Sequence, residues 1–214
     1  MRADPVRRLG RPDQQASEEL IRHIVDTATR LFVSQGYAGT SIEQIAAAAG
    51  SGKQTLYRRF TSKEGLFIEV IKEQTRRLLE VAEASGATGA DPAGALKEAC
   101  RQLFDFVLAP DTVRLHRILV AEVGRFPELG EHVLSHCLGP FTAMLKRLLE
   151  AAMDAGRICQ ADPEAAQRLL MSLLTGYPIH HALLGREPFA SPEERDAYFE
   201  AGWALFSRGM AGAR

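Results

Sequence analysis

Four side chains within six residues, Lys53, Gln54, Tyr57 and Arg58, are together suited to reading a nucleic acid. Lys and Arg can donate to guanine O6 and N7, Gln can pair with adenine at two points, and a Tyr hydroxyl can donate to a phosphate. If Leu56 and Phe60 face inward, the four share the outer face, because offsets of one, four and five stay on one side of a 3.6-residue helix. Lys63 and the hydroxyl of Thr40 or Ser41 stand at expected helix N-termini, where backbone amides also attract phosphate. A basic face alone is commonly just solvated surface. Here it coincides with a turn, capping residues and a local positive charge, which together favour DNA.

Elements of the right kind surround this face. Ile21, Ile24, Val25, Ala28, Leu31 and Phe32 recur at helical spacing and predict a first helix that Gly36 ends. Thr40 or Ser41 can cap a second helix, with Glu43 or Gln44 answering in a capping box and Ile42, Ile45, Ala46 and Ala49 facing inward. Gly50 breaks it, and Ser51 with Gln54 reads as the capping box of a third helix that buries Leu56 and Phe60. Thr61 with Glu64 reads as another, opening a long linking helix over 62–84. The order helix, short helix, tight turn, short helix is that of a helix-turn-helix, whose last helix enters the major groove.

The run TSIEQIAAAAGSGKQTLYRRFTSKEGLF resembles the DNA-binding signature of the TetR/AcrR family of bacterial transcriptional regulators, over about Ser17 to Ile71. The coinciding parts are Gln35-Gly36-Tyr37, Thr40-Ser41-Ile42, Ile45-Ala46, Gly50, Thr55-Leu56-Tyr57, Phe60 and Ser62-Lys63-Glu64. The resemblance implies phosphate contacts at Thr40, Tyr57 and Lys63, and base contacts near Ser51, Lys53 and Gln54. With the outer-face reading, the expected base set is Ser51, Lys53, Gln54 and Arg58, and the phosphate set Thr40, Ser41, Tyr57 and Lys63. It implies further a homodimer on double-stranded operator DNA, with helices 163–184 and 192–209 pairing with their mates around a domain that takes a small-molecule effector. The stretch LHRILVAEVGRFPELG is similar to one subset of these C-terminal domains. A helical enzyme or small-molecule carrier that has kept a helix-turn-helix remnant is the alternative.

The rest of the chain is also helical in period, so the expected class is all-α: a flexible basic arm over 1–16, a helix-turn-helix domain over 17–63, and an effector-binding and dimerisation domain over 64–214. Helices are expected from Pro92 to Ala109, Thr112 to Val123, Pro127 to Gly156 with a kink near Gly139-Pro140, Pro163 to Leu184 and Pro192 to Gly209. Phe104, Val107, His116, Glu122, Phe141 and Met144 are candidate lining for a mainly apolar effector pocket, although such a stripe is more often core. Glu122 lies on an apolar face, where a salt bridge with Arg101 or Arg125 would satisfy it.

Several other chemistries are disfavoured. Gly50-Ser51-Gly52-Lys53 lacks the first glycine and the Ser/Thr of a phosphate-binding loop and follows an alanine-rich helix. His132 and His136 share a face four residues apart but lack the intervening Glu of a zinc helix, so no metal is expected. His180-His181 reads as helix-interface packing. Cys100, Cys137 and Cys159 form no C-x-x-C pair. No nucleophile stands beside a base in a recognisable motif, so neither enzyme activity nor a cofactor is expected.

With 214 residues, 46% of them hydrophobic, the chain can build ordinary cores, and no apolar run reaches the roughly 18 residues of a membrane helix. Its polar start, MRADPVRRLGRPDQQA, is unlike a secretory leader, so a cytoplasmic, nucleoid-associated protein is expected. The net charge of −1 conceals an asymmetry: residues 1–63 carry 10 Lys and Arg against 6 Asp and Glu, whereas residues 64–214 carry 16 against 21.

Overall fold

The computed structural model describes residues 14–86 and 91–210, and these are helical with no strand among them. The helices are α1 (Gln14–Gly39), α2 (Ile42–Ala48), α3 (Lys53–Phe60), α4 (Lys63–Gly86), α5 (Pro92–Leu108), α6 (Pro110–Glu122), α7 (Pro127–His132), α8 (Gly139–Asp154), α9 (Pro163–Leu183) and α10 (Pro192–Gly209). An N-terminal three-helix helix-turn-helix domain is thus followed by a helical C-terminal domain. The division into two compact units falls between Val70 and Ile71. The beginning of α4 belongs to the first unit because Leu66, Phe67 and Val70 are buried there, with Phe67 edge-on against Phe32 and Tyr37 at 5.3 and 5.6 Å.

Several helix ends differ from their sequence expectation. Gln14, Gln15 and Ala16 open α1 rather than extending the basic arm; the remainder of that arm, residues 1–13, lies outside the described residues. Gly36 breaks α1 as expected, at φ +73°, a conformation open to glycine. Helix α6 starts at Pro110, two residues early, because proline's fixed φ suits a first turn that needs no N–H donor. The expected kinked helix over 127–156 is instead three pieces, with a π-helical turn, Val133–Leu138, between α7 and α8. Asp162 caps α9 by accepting from the Glu164 and Ala165 amides, both at 3.2 Å, and Ser191 caps α10 by accepting from the Glu194 amide at 3.3 Å.

The second unit closes over one continuous core in which Leu96 and Phe104 of α5, Phe141, Leu145 and Leu149 of α8, Leu170 of α9 and Phe199 of α10 are essentially inaccessible. Among the described residues no helix is long and apolar enough to cross a membrane.

Candidate nucleic-acid interface

Helix α2 is fixed at its start by a reciprocal pair. The Ser41 hydroxyl accepts from the Gln44 amide at 3.2 Å, and the Gln44 side chain accepts from the Ser41 amide at 2.7 Å. That choice settles the alternatives left by the sequence: Ser41 caps, and Gln44 rather than Glu43 answers. Ile42, Ile45 and Ala46 are buried beneath. At the other end Gly50 takes φ +60°, and its amide donates to Ala47 O at 3.2 Å while the Ser51 amide donates to Ala46 O at 2.9 Å. This pair of bonds satisfies two otherwise orphaned carbonyls and turns the chain sharply into α3.

The cap of α3 is Gly52, with no side-chain bond, so Ser51 does not form the expected capping box. Its amide is spent on closing α2 instead. Leu56 and Phe60, 0% and 4% exposed, anchor α3, and Lys53, Gln54, Tyr57 and Arg58 all stand exposed on its other side, together with Arg59. The geometry therefore brings the four outer-face residues together. Lys53 also pairs with Glu43 of α2 and lies 5.5 Å from the Tyr57 ring centre. The hydrogen bond between them holds the Glu43 carboxyl below the usual carboxylate range and raises the Lys53 ammonium, so both stay charged. Sequence reasoning placed Glu43 only as a capping candidate, since its partner lies across the turn.

Two expected phosphate ligands occupy structural positions. Thr40 is 2% exposed and its hydroxyl donates to Gly36 O at 2.8 Å, which secures the α1–α2 connection rather than presenting a donor to solvent. Lys63 is half-buried: its ammonium donates to Tyr37 O at 2.8 Å and Thr40 O at 3.1 Å, and lies 4.0 Å from the Tyr37 ring centre. It clamps the end of α1 to the start of α4 and keeps one N–H for another acceptor. Thr61 does not cap α4. It ends α3 at φ +62°, the Ser62 amide donates back to Phe60 O at 2.6 Å, and the Ser62 hydroxyl accepts from the Gly65 amide at 3.1 Å. This tight corner leaves no space at Gly65, where a Cβ would lie 2.1 Å from Phe60 O.

Six residues of the second unit are expected to line a pocket. Phe104, Phe141 and Met144 belong to its hydrophobic core and Val107 packs against it. His116 is half-buried in α6, where burial pushes its pKa below the ordinary value. Glu122 does not receive Arg101, which pairs with Asp196 at 2.9 Å and Glu200 at 3.4 Å; Arg125 lies 5.1 Å from the Phe126 ring centre. An open cleft of about 610 Å³ in this unit is lined by none of the six. His132 and His136 stack at 4.8 Å, and no cluster of three metal-ligating side chains occurs among the described residues.

Comparison with known proteins agrees with this geometry. Residues 24–70 match the pattern of bacterial regulatory proteins of the tetR family, and residues 94–209 that of the AefR-like transcriptional repressor C-terminal domain. The HTH-type transcriptional regulator YvkB of Bacillus subtilis is 25% identical over 198 residues, covering 89% of this chain and 96% of YvkB. The HTH-type transcriptional regulator AcrR of Shigella flexneri is 29% identical over 154 residues, 68% of this chain and 71% of AcrR. Among solved structures, a TetR-family transcriptional regulator from Mesorhizobium loti has a TM-score of 0.80 at 28% identity, covering 90% of this chain and 97% of its own. The flavonoid-responsive regulator FrrA has a TM-score of 0.68 at 28% identity, with the same coverage.

Proposed function

This chain belongs to the TetR family of bacterial transcriptional regulators, and from that premise we propose that it is a homodimeric, ligand-responsive repressor of a palindromic operator. The observation that carries the reading is the split of α3 into a buried edge, Leu56 and Phe60, and an exposed edge of Lys53, Gln54, Tyr57 and Arg58. Lys53, Gln54 and Arg58 reach base edges, and Ser51 borders them at the turn. Tyr57 and Ser41 contact phosphate. Lys63 can add a phosphate only through its remaining N–H, and Thr40 positions the turn.

Two protomers place their α3 helices in successive major grooves, roughly 34 Å apart. The dimer face lies on α9 and α10, where Leu169, Tyr177 and Leu205 stand 69%, 52% and 59% exposed in the single chain. Exposed large apolar side chains repeating along helices support a helix-to-helix contact there. The effector, small and mainly apolar, binds the released form more tightly than the DNA-bound form, because equal affinity would shift nothing.

The test is titration of the full-length protein onto DNA from upstream of its own gene, against scrambled DNA, at one fixed salt concentration. Specific binding is expected, and Lys53→Ala or Gln54→Ala should cost about 1–3 kcal/mol against the preferred site while leaving scrambled DNA nearly unaffected. Equal affinity for both DNAs, or indifference to both substitutions, refutes the assignment of α3.

A further inference from the structure

The second unit is acidic, with 16 Lys and Arg against 19 Asp and Glu over residues 71–214, yet four of those sixteen cations, Arg114, Arg117, Arg186 and Arg195, line one open cleft of about 610 Å³. Glu187 is the one acidic residue among its lining, so the wall carries three positive charges in excess. The cleft is framed by the α5–α6 corner, the end of α9 and the connection that leads into α10.

The four arginines are unequally committed. Arg117 donates to the last carbonyls of α9, Leu183 O at 3.1 Å and Ala182 O, and so fixes α6 against that helix end. Arg195 is paired on one side with Asp105 at 2.5 Å, while its buried Nε–H finds no acceptor among the described residues. Arg114 has only Asp111, 3.8 Å away with both groups exposed, which is too weak an ion pair to occupy it. Arg186 forms no ion pair among the described residues. A concave surface with surplus positive charge concentrates an anion more strongly than the same charges spread over a flat face.

Apart from Glu187 and Ser191, the remaining wall is apolar and stiff. Leu108, Val113 and Phe189 supply hydrocarbon, and Pro110, Pro188 and Pro192 supply backbone without N–H donors. A compact inorganic anion would leave this wall uncovered, and a neutral apolar molecule would leave the guanidinium groups unanswered. We propose that the cleft is a binding site for an amphipathic organic anion, a carboxylate whose head is held by Arg114 and Arg186 and whose apolar body lies against Val113 and Phe189. The site stands independently of the DNA reading, because it is defined by binding to the protein alone.

Octanoate and its neutral isostere octanamide are the probes, titrated into the full-length protein by calorimetry and by ligand-detected NMR. Octanoate should bind at least about tenfold more tightly than octanamide, as one charge-assisted hydrogen bond implies. Arg114→Gln and Arg186→Gln should each lower octanoate affinity about tenfold, whereas Arg147→Gln, on the exposed face of α8, should leave it unchanged. Unaltered thermal melts in these exposed-residue variants show that the fold is kept. The proposal is overturned if octanoate fails to bind at millimolar concentration, if octanamide binds equally well, or if Arg147→Gln weakens binding as much as the cleft variants do.

Discussion

Replacing Lys63 with Met keeps an unbranched apolar stem and deletes the ammonium, so it separates two roles for one residue. In the folded protein that ammonium donates to Tyr37 O at 2.8 Å and Thr40 O at 3.1 Å and lies 4.0 Å from the Tyr37 ring centre. A hydrogen bond to a charged group is worth about 1.5 kcal/mol at the low end of its range, and a partly exposed cation–π contact about 0.5 kcal/mol. Water can reach the vacated carbonyls because the site is half-buried, which brings the expected loss down to about 2 kcal/mol. For a unit of this size each kcal/mol shifts the melting point by about 4–8 °C, so a fall of roughly 10 °C is expected in the first unit. Far-UV circular dichroism follows the helices of the whole chain, while Trp203, the single tryptophan, reports on the second unit alone. Lys63→Met should lower the dichroism transition and leave the Trp203 fluorescence transition in place. An unchanged melt with weaker DNA binding and a salt dependence flattened by about one unit would refute the clamp and make Lys63 a phosphate ligand outright.

Gly65→Ala forces a Cβ to within 2.1 Å of Phe60 O, a backbone atom that cannot swing aside, so it should destabilise the first unit by about 3 kcal/mol, measurable by urea unfolding. Leu169→Glu with Leu205→Glu introduces charge on two exposed apolar positions of the proposed dimer face; light scattering should then give monomers whose helix content is unchanged. Burial holds the His116 pKa below the ordinary 6.5, so its stabilising contribution is complete above pH 6.5 and is lost as pH falls through that value toward the lowered folded-state value. His116→Gln should therefore reduce the difference between melting points at pH 7.5 and pH 5.5, and an identical difference in the variant would count against it.

The exposed face of α3 was legible in the sequence because it depends on one short helix. Once Leu56 and Phe60 are turned inward, Lys53, Gln54, Tyr57 and Arg58 have nowhere to go but out. Cap assignments were less legible. A Ser or Thr three residues before a Gln or Glu is a capping box only if the backbone at that Ser or Thr is extended, which Ser41 satisfies at φ −118°. Ser51 instead ends the preceding helix and Thr61 adopts φ +62°, so their matching side chains cannot answer. The letters specify both side-chain acceptors, but the turn decides which of them the backbone amides can use.

The second unit shows where local pattern loses its power. Phe104, Phe141 and Met144 look the same in sequence whether they line a cavity or fill a core, because helical spacing says only which face is apolar and not what stands opposite. The cationic cleft has the reverse problem. Arg114 and Arg117 come from α6, Arg186 from the α9–α10 connection and Arg195 from α10, so eighty residues of chain lie between its first and last cations. Each looks like an ordinary surface arginine in its own helix or loop. What assembles them is the packing of α6 on the end of α9, secured by Arg117 on the Ala182 and Leu183 carbonyls. A residue whose task is to cap a distant helix thus fixes the position of a charge cluster, and neither task leaves a periodic trace. The same holds for Glu43 and Lys53 across the helix-turn-helix, where the ion pair depends on the angle the Gly50 turn imposes. Side chains that act within one helix can be read from spacing, whereas those that act between helices require the turn geometry first.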